Sequence, residues 1–316
     1  MNFPTIWHFI KSNLQKGKNV VLLVVAGSFA SSPGRQGFKM AVSEDAESFG
    51  TVGGGIMEKD LNEFALDFLF GDGETAIKRL QHSPNAKLES SGLICGGTQT
   101  VIFKKFDKSF LPMVDKIIGN IESRTPGKLI LSNSVSKYTD ENPPEEIEFD
   151  DNGEEWEYRE QIGVSDTAYI IGGGHIGLAV SRIMKSLGFY VVVFDHRKDV
   201  FTMKQNGFAD EKIICKYDEI GERLPAGHKT YVIIATPTHK GDSDALKSVI
   251  GKNVKYIGLM GSKRKIVTIF DALRKDGIDE KLFEKVHTPI GLKIGAETPE
   301  EIAISIAAEI IQVRNG

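Results

Sequence analysis

Apolar runs and amphipathic stretches alternate along the first half of the chain, and their spacing predicts its strands and helices. Residues 20–25 are a β-branched run typical of a buried strand, and residues 38–42 are expected to return beside it. The apolar positions of residues 56–70 fall on one face of a helix. Further helices are predicted at residues 1–15 and 110–121, and further strands at residues 99–103 and 128–131. This mixture predicts an α/β domain.

The second half repeats short apolar runs and helical stretches in regular alternation. Strands are predicted at residues 168–171, 190–194, 212–215, 231–235 and 255–259. The last helix is expected to begin at Thr298, where Pro299 takes the first helical position and Glu301 completes a capping box. Such an alternation predicts a doubly wound parallel sheet of the Rossmann type.

A strongly acidic segment separates the two halves. Residues 140–160 hold eleven acidic side chains and one basic one. Apolar and aromatic residues alternate on both sides of the turn residues 151–153, so the segment is interpreted as a β-hairpin. It is expected to close an N-terminal α/β domain at 1–163, and a Rossmann-type domain is expected at 164–316.

Composition narrows the class of protein. The chain of 316 residues has two cysteines, which excludes a disulfide framework and the ligand spacing of a zinc site, so a reducing cytoplasm is expected. No apolar run has the character of a signal peptide or approaches the roughly 20 residues that span a bilayer. The net charge of −4 leaves about +6 outside the acidic segment. That excess suits small anions and lacks the basic stripe of nucleic-acid-binding proteins, so neither a membrane nor a nucleic acid is an expected partner.

Residues 172–177 carry the strongest motif, a G-x-G-x-x-G pattern that follows a predicted strand and opens a helix. Gly172, Gly174 and Gly177, with His175 between them, are therefore candidate nucleotide-binding residues. Asp195, at the end of the next strand, is expected to accept a hydrogen bond from a ribose hydroxyl, which disfavours NADP. The alternative is a glycine turn that serves only strand–helix packing.

His239 and Asp242 follow another predicted strand, at the sheet edge where such folds bind ligands. They are candidate catalytic residues that face a substrate. The alternative is that Asp242 caps the next helix and His239 is a solvated loop residue. The chain has no Tyr-x-x-x-Lys pair and no recognisable acid for hydride transfer.

The first half has its own glycine clusters, at residues 27–37 and at Gly53, Gly54 and Gly55. Glycines at a loop and at a helix start can wrap backbone amides around an oxyanion, and Arg35 can add charge-assisted hydrogen bonds. Glu58 is a further candidate. The alternatives are that the glycines only form turns and that Glu58 only favours the helix dipole.

The two cysteines are expected to differ. Cys95 lies between glycines, a setting that favours thiolate chemistry, although a free cysteine is often a small buried hydrophobe. Cys215 ends an apolar strand and is expected to be buried.

Several motifs in the same order and spacing make the chain resemble the xanthine dehydrogenase accessory proteins, the XdhC/CoxI family, over nearly its whole length. The motifs are the Ser-Ser-Pro loop that leads to residues 37–40, residues 53–55 with Glu58, residues 95–97, residues 172–177, His239 with Asp242, residues 258–264, and residues 289–301. One departure is Gly34, which stands between the loop proline and Arg35, whereas many relatives place arginine directly after the proline.

The resemblance implies that the protein is a maturation factor without turnover and not an enzyme. Family members look like carriers that bind molybdenum cofactor, as molybdopterin or its dinucleotide form, protect it during sulfuration and deliver it to a molybdenum hydroxylase. The resemblance implies that Arg35 and the glycine loops hold a pterin phosphate and that Cys95 contacts the metal centre or passes sulfur. It adds Ser262, Lys263 and Arg264 as candidate cofactor-binding residues. The implied partners are a xanthine-dehydrogenase-like client and a cysteine desulfurase, and a homodimer is expected on base rates.

Two other functions fit the same residues. An NAD-dependent oxidoreductase would use residues 172–177 and Asp195, and a screen for hydride transfer distinguishes it from a carrier. A nucleotide-sensing module would bind nucleotide tightly and no pterin.

Overall fold

The computed structural model of the protein describes residues 5–82, 89–90, 96–141, 143–144 and 146–315. Contacts within the chain divide it into two units, Met1–Val164 and Ser165–Gly316.

The first unit is built around a six-stranded sheet, sheet A, in the order β3-β2-β1-β6-β4-β5. Its strands are β1 (Val20–Phe29), β2 (Lys39–Ser43), β3 (Ser48–Gly50), β4 (Thr75–Gln81), β5 (Glu89–Ser90) and β6 (Thr98–Phe106). All described pairs are antiparallel except β4 with β5. Residues 20–26 of β1 are all fully buried, because both faces of this central strand are covered.

A second, four-stranded antiparallel sheet, sheet B, has the order β8-β7-β10-β9. Its strands are β7 (Gly127–Ser132), β8 (Ser136–Thr139), β9 (Glu148–Asp151) and β10 (Trp156–Ile162). Strands β9 and β10 pair directly, with Trp156 opposite Asp151 and Tyr158 opposite Phe149, so the predicted acidic hairpin is confirmed. Part of its charge is paired within the unit, since Arg79 binds Asp151 at 2.7 Å.

Among the described residues of the first unit, three α-helices cover the sheets: α1 (Ile6–Gln15), α2 (Gly55–Phe70) and α3 (Leu111–Ser123). One face of sheet A packs on the apolar side of α2, through Val21, Leu23, Met57 and Leu61. The other face shares a core with α1, α3 and sheet B. The two alternating faces of β1 therefore serve two separate cores.

The second unit is a six-stranded parallel sheet, sheet C, in the order β13-β12-β11-β14-β15-β16. Its strands are β11 (Thr167–Ile171), β12 (Tyr190–Asp195), β13 (Glu211–Ile214), β14 (Gly227–Ile234), β15 (Val254–Leu259) and β16 (Val286–His287). Counted within the unit, this order is 3-2-1-4-5-6, which is the order of a Rossmann fold. The predicted fold class is confirmed.

Helices cover both faces of sheet C. They are α4 (His175–Ser186), α5 (Phe201–Gln205), α6 (Ile220–Arg223), α7 (His239–Val249), α8 (Lys263–Lys275), α9 (Glu280–Phe283) and α10 (Pro299–Asn315). Helices α4 and α10 pack on one face, and α6, α7 and α8 pack on the other. The predicted capping box of α10 is confirmed, because the amide of Thr298 donates to Glu301 at 3.0 Å and the amide of Glu301 donates to the Thr298 hydroxyl at 3.3 Å.

Candidate functional site

Three glycine-containing loops of the first unit meet at one end of sheet A. A Cβ on Gly53 would lie 2.7 Å from the amide nitrogen of Gly34, and one on Gly97 would lie 2.6 Å from the carbonyl oxygen of Phe29. These distances are shorter than real Cβ contacts, so only glycine lets the loop after β1, the loop before α2 and the segment before β6 approach so closely. Gly53 and Gly97 are therefore needed for close packing of the loops, a role that goes beyond forming turns.

A buried polar network ties these loops together, and no pattern in the sequence predicted it. The Gln99 side chain, only 1% exposed, accepts hydrogen bonds from the Ser32 hydroxyl at 2.8 Å and the Gly34 amide at 3.2 Å. The Gln99 amide also donates to the Val52 carbonyl oxygen at 2.8 Å. His82, fully buried, lies 3.4 Å from the Ser32 hydroxyl, and burial lowers the pKa of its ring. One side chain of β6 thus fixes two of the three loops.

Glu58 is held by the loop before its own helix. Its carboxylate accepts hydrogen bonds from the Thr51 hydroxyl at 2.5 Å and from the amides of Val52 and Gly54 at 2.9 and 3.0 Å. Partial burial opposes ionisation, but these hydrogen bonds outweigh it and lower the pKa of the carboxyl. The oxyanion bound by these backbone amides is therefore the chain's own carboxylate, and this position of Glu58 does not support the prediction that it binds a cofactor.

Arg35 and several of the candidate glycines are accessible among the described residues of the first unit. Arg35 is exposed and makes no side-chain hydrogen bond or ion pair with any residue that the structure describes. A Cβ on Gly54, Gly55 or Gly96 would meet no described atom within 4 Å, so the backbone there borders open space. Cys95 lies outside the described residues. An unpaired guanidinium and accessible glycine backbone are two features that can bind a phosphate.

The G-x-G-x-x-G loop of the second unit has the geometry that the motif predicts. Gly172 lies between β11 and α4 at a φ of +125°, and its amide donates to the Phe194 carbonyl oxygen at 2.8 Å. A Cβ on Gly177 would collide with the Gly172 carbonyl oxygen, so this glycine allows the helix to pack on the strand. Gly174 is the N-cap of α4 and borders open space, and His175 begins the helix with an exposed side chain.

Asp195 has a different role from the predicted one. Its side chain is fully buried at the end of β12. It accepts hydrogen bonds from the Gly173 amide at 2.8 Å, the Arg197 amide at 3.0 Å, and Nε and Nη2 of Arg197 at 2.9 and 2.8 Å. Burial opposes ionisation, but the bonds from Arg197 and Gly173 lower the pKa of the carboxyl. The prediction that Asp195 offers a free acceptor to a ribose hydroxyl does not hold in this structure.

Asp242 likewise turns inward, whereas its neighbour His239 is exposed at the start of α7. The Asp242 side chain is fully buried, accepts from the Thr236 amide at 2.9 Å and from the Thr236 hydroxyl at 2.7 Å, and pairs with Lys265. The N-cap of α7 is Thr238. Asp242 therefore neither faces a substrate nor caps the helix, and instead fixes the loop after β14 to α8.

Ser262, Lys263 and Arg264 begin α8, and all three are exposed. The Ser262 hydroxyl accepts from the amide of Lys265 at 3.4 Å and caps the helix. Ser262 thus has a local role, while Lys263 and Arg264 present their charges to solvent.

The described part of the chain contains no cluster of three or more His, Cys, Asp or Glu side chains suited to a metal ion. Within the same residues, no helix combines the length and apolar character that crossing a membrane requires. Cys215 is a buried free cysteine, as predicted, and burial raises the pKa of its thiol.

The fold defines a class of protein in which a glycine-loop α/β unit is joined to a Rossmann unit. Two family models match the chain: the XdhC and CoxI family at residues 13–81 and the XdhC Rossmann domain at residues 168–310. The chain belongs to the XdhC and CoxI family, and the resemblance seen in its motifs is confirmed.

The chain is also similar to curated relatives and to a solved structure. The chain is 26% identical over 296 residues to the uncharacterized protein YqeB of Escherichia coli, covering 92% of this chain and 43% of that protein. It is 29% identical over 145 residues to a probable xanthine dehydrogenase subunit of Bacillus subtilis, covering 46% of this chain and 42% of that protein. The chain thus spans less than half the length of these relatives. A crystal structure of a xanthine dehydrogenase from Bacillus halodurans has the same fold, with a TM-score of 0.71 at 22% identity over 97% of this chain and 95% of that one.

Proposed function

We propose that this protein is an accessory factor in the maturation of a xanthine-dehydrogenase-type molybdenum hydroxylase. In this proposal it binds molybdenum cofactor, assists its sulfuration and delivers it to the hydroxylase. The observation that carries the proposal is membership of the XdhC and CoxI family, with both parts of the chain matched. The B. subtilis relative, whose name refers to xanthine dehydrogenase, supports the choice of client.

The residues of the first unit fit one part of the cofactor, its phosphate. Arg35 is an exposed cation whose donors are free among the described residues, and Gly54 and Gly55 leave their backbone open to a ligand. Arg35 would donate charge-assisted hydrogen bonds to the phosphate, and the glycines would let it approach the main chain. The network around Gln99 would hold this loop in place before the ligand arrives. When bound, the cofactor itself supplies the molybdenum chemistry.

The glycine-flanked Cys95 enters the proposal through its chemistry alone, as a thiol that contacts the cofactor or passes sulfur. A cysteine desulfurase is the proposed source of that sulfur. The proposed assembly is a homodimer in the cytoplasm. The oxidoreductase alternative is weakened, because Asp242, one of its candidate catalytic groups, is buried and paired.

Calorimetric titration of the reduced protein with molybdenum cofactor tests the carrier function directly. We expect binding near one cofactor per chain. Arg35→Ala should weaken it roughly 10- to 100-fold, since hydrogen bonds to a charged group contribute about 1.5–3 kcal/mol. Lys16→Ala is the matched control, because it removes another exposed positive charge from the same unit.

Two outcomes would count against the proposal. Wild-type protein that binds no cofactor would reject the carrier function. Equal affinities for wild-type protein and Arg35→Ala would reject the phosphate role of Arg35 alone. Cys95→Ala separately tests the thiol, because unchanged cofactor retention and unchanged hydroxylase activation would exclude it from the reaction.

A further inference from the structure

The second unit contains a cavity of about 390 Å³ beside the G-x-G-x-x-G loop. Gly174 and His175 line it at the start of α4, and Arg197 and Phe201 line it beyond the end of β12. The volume falls within the range of small-molecule sites and suits one nucleotide moiety. This location is the crevice where Rossmann folds bind their ligands.

The acidic residue next to this cavity has no hydrogen-bonding capacity left. A carboxylate has about four lone-pair positions, and Asp195 accepts four hydrogen bonds, three of them from Arg197 and one from Gly173. Its side chain is also fully buried. A ribose hydroxyl therefore finds no acceptor at Asp195, which removes the feature by which such sites usually prefer NAD.

Arg197 presents donors where an NAD site presents an acceptor. A guanidinium has five N–H donors, and the side-chain hydrogen bonds to Asp195 use Nε and Nη2, so three N–H groups are left on a side chain that is 40% exposed. Asp199 also lines the cavity and is negatively charged, but its charge is paired with Lys204 at 2.7 Å. His196, 3.6 Å from Asp195, adds positive charge only when it is protonated.

Phe201 supplies a second, independent feature of a nucleotide site. It is the first residue of α5, its side chain is 69% exposed, and it lines the same cavity. An aromatic ring with a free face is a stacking surface for a planar base. The cavity thus combines a base platform, a guanidinium and the positive end of α4.

We infer that this cavity binds a nucleotide whose ribose carries a phosphate, as in NADP(H), in preference to the unphosphorylated ribose of NAD(H). Arg197 donates to the ribose phosphate, the amides at the start of α4 face the pyrophosphate, and Phe201 stacks on the base. This preference is the reverse of the one predicted from Asp195 in the sequence. It concerns the second unit and does not depend on the proposed cofactor site of the first.

Calorimetry of the full chain with NADP⁺ and with NAD⁺ tests the inference. We expect NADP⁺ to bind at least tenfold more tightly, and adenosine 2′,5′-bisphosphate to bind more tightly than 5′-AMP by a similar factor. Arg197→Ala removes the donors proposed to bind the phosphate. It also removes the side-chain hydrogen bonds to Asp195, so the Asp195 carboxylate oxygens can accept from a ribose hydroxyl. It should weaken NADP⁺ binding at least tenfold and strengthen NAD⁺ binding, which a merely structural role of Arg197 would not do. Lys198→Ala is the control, because this neighbouring exposed cation does not line the cavity.

Equal affinities for the two dinucleotides, a preference for NAD⁺, or no binding of either would overturn the inference. So would an Arg197→Ala variant that weakens both dinucleotides equally while keeping the wild-type circular dichroism spectrum. If that variant does not fold, the wild-type comparison of the two adenosine phosphates still decides. Failure here leaves cofactor binding by wild-type protein unchanged, so it is distinguishable from failure of the proposed function.

Discussion

Gln99 is the residue whose replacement most directly tests how the glycine loops of the first unit are held. Its side chain bridges the loop after β1, through Ser32 and Gly34, to the loop before α2, through Val52. Gln99→Leu keeps a similar volume but removes both the acceptor and the donor. The Gly34 amide and the Val52 carbonyl group then lose their partner, whereas Ser32 can still donate to the Gly34 carbonyl oxygen at 3.3 Å.

The size of the effect follows from those two orphaned groups. A buried polar group without a partner costs roughly 1–3 kcal/mol, so two of them should lower the free energy of unfolding by about 2–6 kcal/mol. Ser32→Ala removes one donor and leaves the Gly34 amide bound to Gln99, so it should cost only about 1 kcal/mol.

Tryptophan fluorescence during urea unfolding measures this effect in the first unit alone. The two tryptophans of the chain, Trp7 and Trp156, both lie in the first unit and are buried. With an m value of about 2 kcal/mol/M, the Gln99→Leu midpoint should fall by about 1–3 M. Gln15→Leu, at an exposed position in the same unit, is the matched control. If the two variants unfold at the same urea concentration, the network does not hold the loops and the reasoning fails.

Three further outcomes are expected. Asp242→Asn should destabilise the second unit by about 3 kcal/mol, because it leaves Lys265 without its buried partner. Thermal unfolding followed by circular dichroism measures this, with Asp244→Asn as the control. Equal melting temperatures for the two variants would contradict the prediction. The lowered pKa of Glu58 means that its charge stabilises the fold above pH 4.5 and loses this effect as the pH falls through the lowered pKa. The stability difference between wild type and Glu58→Gln should therefore narrow in acid, and a constant difference would contradict the pKa. In a Cys95→Ser variant, the remaining thiol of Cys215 is buried and has a raised pKa, so it should react with a thiol reagent only after the protein unfolds. Rapid labelling of the native variant would contradict the burial of Cys215.

The periodicity of apolar residues was sufficient to predict the strands and helices in which that periodicity is clear. The predicted strand at residues 168–171 appears as Thr167–Ile171, and the predicted helix at 56–70 appears as Gly55–Phe70. Strand β4, Thr75–Gln81, was not predicted, because five of its first six residues are only half-buried and the run lacks a clear apolar alternation. Its pairing with β6 is what makes it a strand, and that pairing is a tertiary contact.

At the candidate site, the sequence could not predict which partners the charged side chains bind within the folded chain. Glycine fingerprints identified the loops correctly, because an unusual backbone conformation restricts the residue type at its own position. The sequence does not show whether the oxygens of a carboxylate already accept hydrogen bonds, so it could not reveal that those of Asp195 do. The sequence contains two clues: an arginine two residues after the acid, and Gln99, which stands two residues before the apolar residues 101–103 of β6. Each clue became interpretable only when the folded chain showed which donors and acceptors are paired, so a binding site is defined by the groups that folding leaves unpaired as much as by its motif.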